Sequence, residues 1–241
     1  MVSLANPSGG YAGGMSAITL AHPPLRLRVL PGVWRPQSDA RMLARFVFEH
    51  GLAVGRDVLD VFTGSGALAL AAARGGARSV TAIDVSRRAL IAVRFNARRN
   101  GVQVRAVRGD VLAPVAGEQF DLILANPPYY PGGARLPGHS AARAWEGGYD
   151  GRVLVDRLCG TVGRHLRRGG QLVIVHNMMT GERETRRRLE SDGLRTEVVI
   201  RRRGPLGPVG RATASLLRER GASFADSDEE ETVVIAATRE R

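Results

Sequence analysis

The tetrapeptide Asn126-Pro127-Pro128-Tyr129 follows directly on the apolar run Phe120-Asp121-Leu122-Ile123-Leu124-Ala125. The side-chain oxygen of Asn126 and the carbonyl of Pro127 can together accept the two N–H bonds of a planar amide or an aromatic amine. Two prolines stiffen the turn, and Pro128 has no N–H to compete for that carbonyl. The Tyr129 ring can stack on a flat target group. Such a corner suits methylation of nitrogen, with Asn126, Pro127 and Tyr129 as the candidate catalytic residues. The same four residues also read as plain turn signals, so the decision rests on what surrounds them.

Upstream, Asp60-Val61-Phe62-Thr63-Gly64-Ser65-Gly66 joins an apolar strand to a helix. The missing side chains at Gly64 and Gly66 let a ligand approach the backbone closely. Read as Gly64-x-Gly66-x-x-Ala69, the loop also matches the dinucleotide fingerprint, which keeps a nicotinamide or flavin cofactor open. Three acids discriminate better, because Asp60, Asp84 and Asp110 fall at or just beyond the carboxyl ends of successive expected strands, the edge where open α/β sheets bind ligands. A carboxylate at Asp84 can take both ribose hydroxyls, and one at Asp110 can accept from an adenine amino group. Asp60 would repel a diphosphate but suits a cation. S-adenosylmethionine combines a sulfonium and an ammonium with adenosine and lacks phosphate. Thr63, Val85 and Val111, beside these groups, and Asn126 complete the expected cofactor contacts. Each acid also has a structural reading: Asp60 bracing its own loop, Asp84 capping the helix that begins near Ser86, and Asp110 ending a strand.

The elements that must position these groups follow from periodicity. Strands are expected at residues 57–61, 79–83, 102–107 and 121–125, with helices at 67–74 and 87–100 between them. This βαβ series favours a parallel sheet with helices on both faces. Ser38 or Asp39 can cap a helix through Met42, Leu43, Phe46 and Val47, closed by Gly51. Beyond a Gly-rich connection at 130–151, the pattern continues with a helix to residue 168, a strand at 171–175, a helix near 181–191, and strands at 196–200 and 232–238. The stretch between the last two strands suits an exposed hairpin or a lid. Residues 1–24, rich in Gly, Ser, Ala and Pro, are expected to form a mobile arm before a single domain at 25–241.

Composition sets outer bounds. A chain of 241 residues with 44% hydrophobic content supports one substantial core. No apolar run reaches the length of a bilayer span and no secretory layout opens the chain, so a cytoplasmic address is expected. The formal charge of +12 would favour a polyanionic partner such as nucleic acid, yet every basic residue is arginine, a bias that GC-rich coding also produces. Cys159, the single cysteine, reads as a core residue, and the five histidines show no metal-ligand spacing, so no metal is expected. His176 could border the pocket or pack in the core. Trp145 and Tyr130 could line a substrate groove or anchor the Gly-rich connection.

Residues 33–238 resemble class I S-adenosylmethionine-dependent methyltransferases, and within them the HemK-type protein-glutamine N5-methyltransferases. The resemblance is carried by the strand and glycine loop at 57–66, by Asn126-Pro127-Pro128-Tyr129, and by Trp145-Glu146-Gly147-Gly148-Tyr149-Asp150-Gly151. It implies a Rossmann-like, seven-stranded, mostly parallel sheet with an antiparallel last strand. It also implies adenosine at Asp84 and Asp110, the methionine end near Gly64 and Gly66, and S-adenosylhomocysteine as product. The implied substrate is the glutamine of a Gly-Gly-Gln loop in a translation release factor. Nucleic-acid amine methyltransferases share the Asn-Pro-Pro-Tyr turn, which keeps an exocyclic base amine as the alternative acceptor. Arg35-Pro36-Gln37-Ser38 stands where the family has a cofactor-covering segment, and from it Gln37 is carried over as a cofactor contact. The chain resembles the shorter members without an N-terminal helical domain, some of which use a small activating partner.

Overall fold

Apolar runs of Val, Ile and Leu form strands covered on both faces, as buried parallel strands require. The computed structural model describes residues 16–21, 23–133, 136, 144–220 and 228–240. Its main sheet contains β3 (Asp57–Val61), β4 (Ser79–Asp84), β5 (Arg105–Arg108), β6 (Phe120–Ala125), β7 (Leu166–Asn177), β8 (Leu194–Pro205) and β9 (Glu229–Arg239). Their spatial order is β5-β4-β3-β6-β7-β9-β8. The pairs from β5 through β7 are parallel, and β9 runs antiparallel to both β7 and β8. From β3 the chain winds outward to β5, then returns to β6 on the other side of β3. That reversal opens a crevice at the carboxyl ends of β3 and β6, the place where doubly wound sheets hold ligands.

Alternation along the strands divides the core. Val58, Leu122, Leu124, Val173 and Val175 face one layer with α1 (Ser38–Glu49), α2 (Ala67–Arg74) and α3 (Arg87–Arg99). Leu59, Val61, Ile123, Leu172 and Ile174 face the other, with α4 (Val153–Cys159), α5 (Glu182–Ser191) and the Val209 end of α6 (Pro208–Glu219). Ser86 caps α3 by accepting from the Ala89 N–H at 3.3 Å.

Several expectations need correction. The arm expected up to residue 24 is in part a hairpin, β1 (Ser16–Leu20) paired antiparallel with β2 (Leu25–Val29); residues 1–15 lie outside the described residues. Ile18, Leu20, Leu25, Leu27 and Val29 are buried. Asn96 of α3 clamps the Arg28 backbone, accepting its N–H at 2.8 Å and donating to its carbonyl at 2.9 Å. The period-2 apolar pattern is short and broken by prolines, so composition masked it. The helix expected to run to residue 168 stops at Cys159 before Gly160, and Leu166 already belongs to β7. The third expected strand, at 102–107, is observed at Arg105–Arg108. The stretch assigned to a hairpin or lid holds α6. Neither Ser38 nor Asp39 caps α1, whose N-cap is Gln37 without a side-chain bond.

No helix among the described residues is long and apolar enough to cross a membrane, and no group of three or more metal-ligating side chains occurs among them.

Candidate active site

The crevice at the strand reversal is a cavity of about 910 Å³, within the usual range for small-molecule sites. Its wall includes Thr63, Gly64, Asp84, Val85, Asp110, Val111 and Asn126, and the segment before α1 contributes Gly32, Val33, Trp34 and Pro36. Two wall residues hold strained backbones: Phe62 at φ 64° and Val111 at φ 50°. Strain of about 1–3 kcal/mol at such positions persists where the surrounding packing enforces it. At Gly64, with φ 53°, an added Cβ would meet no atom within 4 Å, so a ligand can approach this backbone directly.

Two of the three expected acids share the wall. Asp84 ends β4, and its carboxylate accepts the Gly64 N–H at 2.9 Å and the Ser86 N–H at 2.8 Å. It thereby ties the glycine loop to the start of α3, combining the structural reading with a place on the wall. Asp110 is exposed and pairs with Arg157 of α4 at 2.7 Å. Asp60 departs from expectation, for it is fully buried and off the wall. Within β3 it points to the same side as Val58, beneath α2. There its Oδ2 accepts the Thr63 hydroxyl at 2.6 Å and the Ala69 N–H at 2.9 Å. Burial pushes its carboxyl up to about 7, and its Oδ1 is buried without a partner. Asp60 therefore braces the loop. Gln37 is also off the wall, although its neighbours Pro36 and Ala40 are on it. Gly66 caps α2 with φ 89° and likewise stands behind the wall.

Asn126 follows β6, is half-buried on the wall, and no described residue hydrogen-bonds its amide. Pro128 joins it on the wall, whereas Pro127 and Tyr129 are buried behind it. The expected stacking of Tyr129 on a target in the cavity is not what its ring does. The ring lies in the core 5.1 Å from that of Tyr130, and its hydroxyl donates to Asp39 of α1. Burial, with the Asp39 charge, holds that hydroxyl well above the usual tyrosine range.

The Gly-rich segment knots itself onto this turn. Tyr130 donates its N–H to the Trp145 carbonyl at 2.9 Å, and Gly147 donates to the Tyr130 carbonyl at 2.8 Å. A Cβ on Gly151 would sit 2.2 Å from the Tyr129 carbonyl oxygen, so only glycine permits this approach. Trp145 and Tyr130 are buried anchors of the segment, and Arg152 fastens its far end to the Thr180 carbonyl and, at 2.7 Å, to Asp156. His176 is fully buried, which pulls its imidazole down to about 4. Cys159 is buried, with its thiol pushed up to about 12.

The methyltransferase small domain model matches residues 30–141. A Methanocaldococcus jannaschii protein designated an N5-glutamine methyltransferase is 31% identical over 182 residues, which are 75% of this chain and 90% of that protein. The chain belongs to the protein-glutamine N5-methyltransferase family. A release factor glutamine methyltransferase of Mycolicibacterium smegmatis is 35% identical over 190 residues, 76% of this chain and 67% of that one. The E. cuniculi complex responsible for methylation of the eRF1 translation termination factor has the same fold, with a TM-score of 0.61 and 23% identity over 87% of this chain and 99% of that one.

The cofactor of this glutamine methyltransferase family member is S-adenosylmethionine, and the wall suits it. Asp84 and Asp110 present carboxylates on the wall, and the open space over Gly64 leaves room against the backbone. In this methyltransferase the residues that sequence reasoning missed are Asp39, bonded to Tyr129, and Arg157, paired with Asp110. Neither lies within a recognisable motif.

Proposed function

We propose that this chain transfers a methyl group from S-adenosylmethionine to the side-chain amide nitrogen of a glutamine in a translation release factor. The observation that carries the reading is the Asn126 amide, open on the wall of the cavity that also presents Asp84 and Asp110. The activity named for the M. smegmatis relative supports the choice of acceptor. The E. cuniculi neighbour is a complex, and a small activating subunit belongs to the same reading.

S-adenosylmethionine supplies a methyl already activated on a sulfonium. Asp84 and Asp110 would hold the adenosine, with Val85 and Val111 beside it and the backbone at Thr63 and Gly64 towards the methionine end. An amide nitrogen is a weak nucleophile because its lone pair is delocalised into the carbonyl. The Asn126 side-chain oxygen, on the wall, accepts one of its hydrogens. This favours a pyramidal nitrogen and stabilises the positive charge that develops there. The rigid turn also fixes the direction of approach, which is the larger part of what a protein can add to such a transfer.

Radiolabelled methyl transfer to purified release factors, set beside total RNA and DNA, tests the proposal. Label recovered as N5-methylglutamine is expected. Label confined to nucleic acid would replace the glutamine with an exocyclic base amine.

A further inference from the structure

The hydroxyl of Tyr129 reaches ninety residues back along the chain to Asp39. Asp39 lies in the first turn of α1 and is 8% exposed. Its carboxylate also accepts the Ser38 hydroxyl at 3.0 Å and faces Arg202 of β8 at 3.5 Å. In the chain leading into α1, Gly32, Val33, Trp34 and Pro36, together with Ala40 of α1, build one wall of the cofactor cavity. Asn126 and Pro128, in the same turn as Tyr129, stand on that cavity as well. One carboxylate therefore joins the cofactor-side wall to the corner that carries the open amide.

We infer that Asp39 is a positioning residue for methyl transfer: through the Tyr129 hydroxyl it locks the Asn126-Pro127 corner in place relative to the cofactor wall. The inference rests on the proposed role of that corner in holding the acceptor. Packing alone holds an aromatic ring in its slot but leaves rotation and sliding of the turn less constrained. A charge-assisted bond at the end of the ring removes that freedom and is roughly twice as strong as a neutral one. Asp84 ends β4 and Asp110 follows β5, away from this link, so its loss misplaces the acceptor while leaving the nucleoside contacts intact. A displacement of about 1 Å in a reacting group costs on the order of a hundredfold in rate.

The test compares Asp39→Ala, Asp39→Asn, Tyr129→Phe and the double variant Asp39→Ala/Tyr129→Phe with the unaltered protein. Asp39→Ala and Tyr129→Phe are each expected to lower kcat about ten- to hundredfold, with S-adenosylhomocysteine affinity in calorimetry changed by less than about twofold. The double variant should be no worse than either single one, the signature of a shared interaction. Asp39→Asn retains an acceptor oxygen and should recover most of the rate. Hydrogen exchange at the Tyr129 and Tyr130 amides should quicken in Asp39→Ala while exchange at residues 63–66 stays unchanged. Multiplicative losses in the double variant, or turn amides that exchange as before, would overturn the inference. A protein that methylates no glutamine defeats the functional proposal instead, and the exchange measurement still decides the link.

Discussion

Asn126 and Asp84 share one cavity wall but differ in what holds them, and this separates their expected effects. No described residue bonds the Asn126 amide, so Asn126→Ala removes an acceptor for the substrate and little else. Turnover should fall by at least about a hundredfold, the scale seen when one preorganised polar group is lost. Affinity for S-adenosylhomocysteine should stay within about twofold. Asp84 is already held by the N–H groups of Gly64 and Ser86. Asp84→Ala therefore loses a charge-assisted ligand contact and loosens the glycine loop at once. Weakening of cofactor binding by about 1.5–3 kcal/mol is expected, roughly ten- to hundredfold in calorimetry. Full activity in Asn126→Ala, or unchanged binding in Asp84→Ala, would remove the respective role.

At the scale of elements, the turn after β6 depends on the Gly-rich segment packed behind it. Gly151 has φ 76°, and a Cβ there would press on the Tyr129 carbonyl. Because backbone rather than a flexible side-chain tip is in the way, Gly151→Ala must shift the turn itself, costing about 1–3 kcal/mol. For a domain of this size that lowers Tm by roughly 2–12 °C, and methyl transfer should drop with it. Gly204 in β8 is the control, since a Cβ there meets nothing within 4 Å and no left-handed backbone is required. Gly204→Ala should leave the thermal unfolding curve in place. Equal melting of the two variants would mean that the segment does not support the turn.

For the whole molecule, the two ends of the sheet respond oppositely to pH. At the end away from the cavity, Arg78 and Arg167 bridge Asp57 and Asp121 across β3 and β6 at 2.6–3.1 Å. The Arg78 guanidinium holds the Asp57 carboxyl far below the usual carboxylate range. A depressed carboxylate stabilises the fold above its unfolded pKa and loses that contribution as the medium acidifies. Asp57→Asn should therefore cost about 1 kcal/mol at neutral pH, after solvent screening, and flatten the acid limb below about pH 4. Asp60, pushed up to about 7 by burial, works the other way. Its folded form retains the proton, so stability falls as pH rises from about 4 towards 7, and Asp60→Asn should remove that slope. Urea unfolding between about pH 2 and pH 8 reads both effects, and curves parallel to the unaltered protein would refute them. The alternation from β3 to β6 and the glycine loop were legible because local periodicity and turn chemistry determine them, and so was the Asn-Pro-Pro-Tyr corner. A short strand near Pro23 and Pro24 does not reveal that it will dock on α3, and the period of β3 does not show which face of the strand α2 covers, so Asp60 lies beneath that helix without a local signal. The residue types at the strand ends already name the chemistry available there. Which acids line the cavity, and that Asp39 meets Tyr129, depends on packing between segments far apart in the chain.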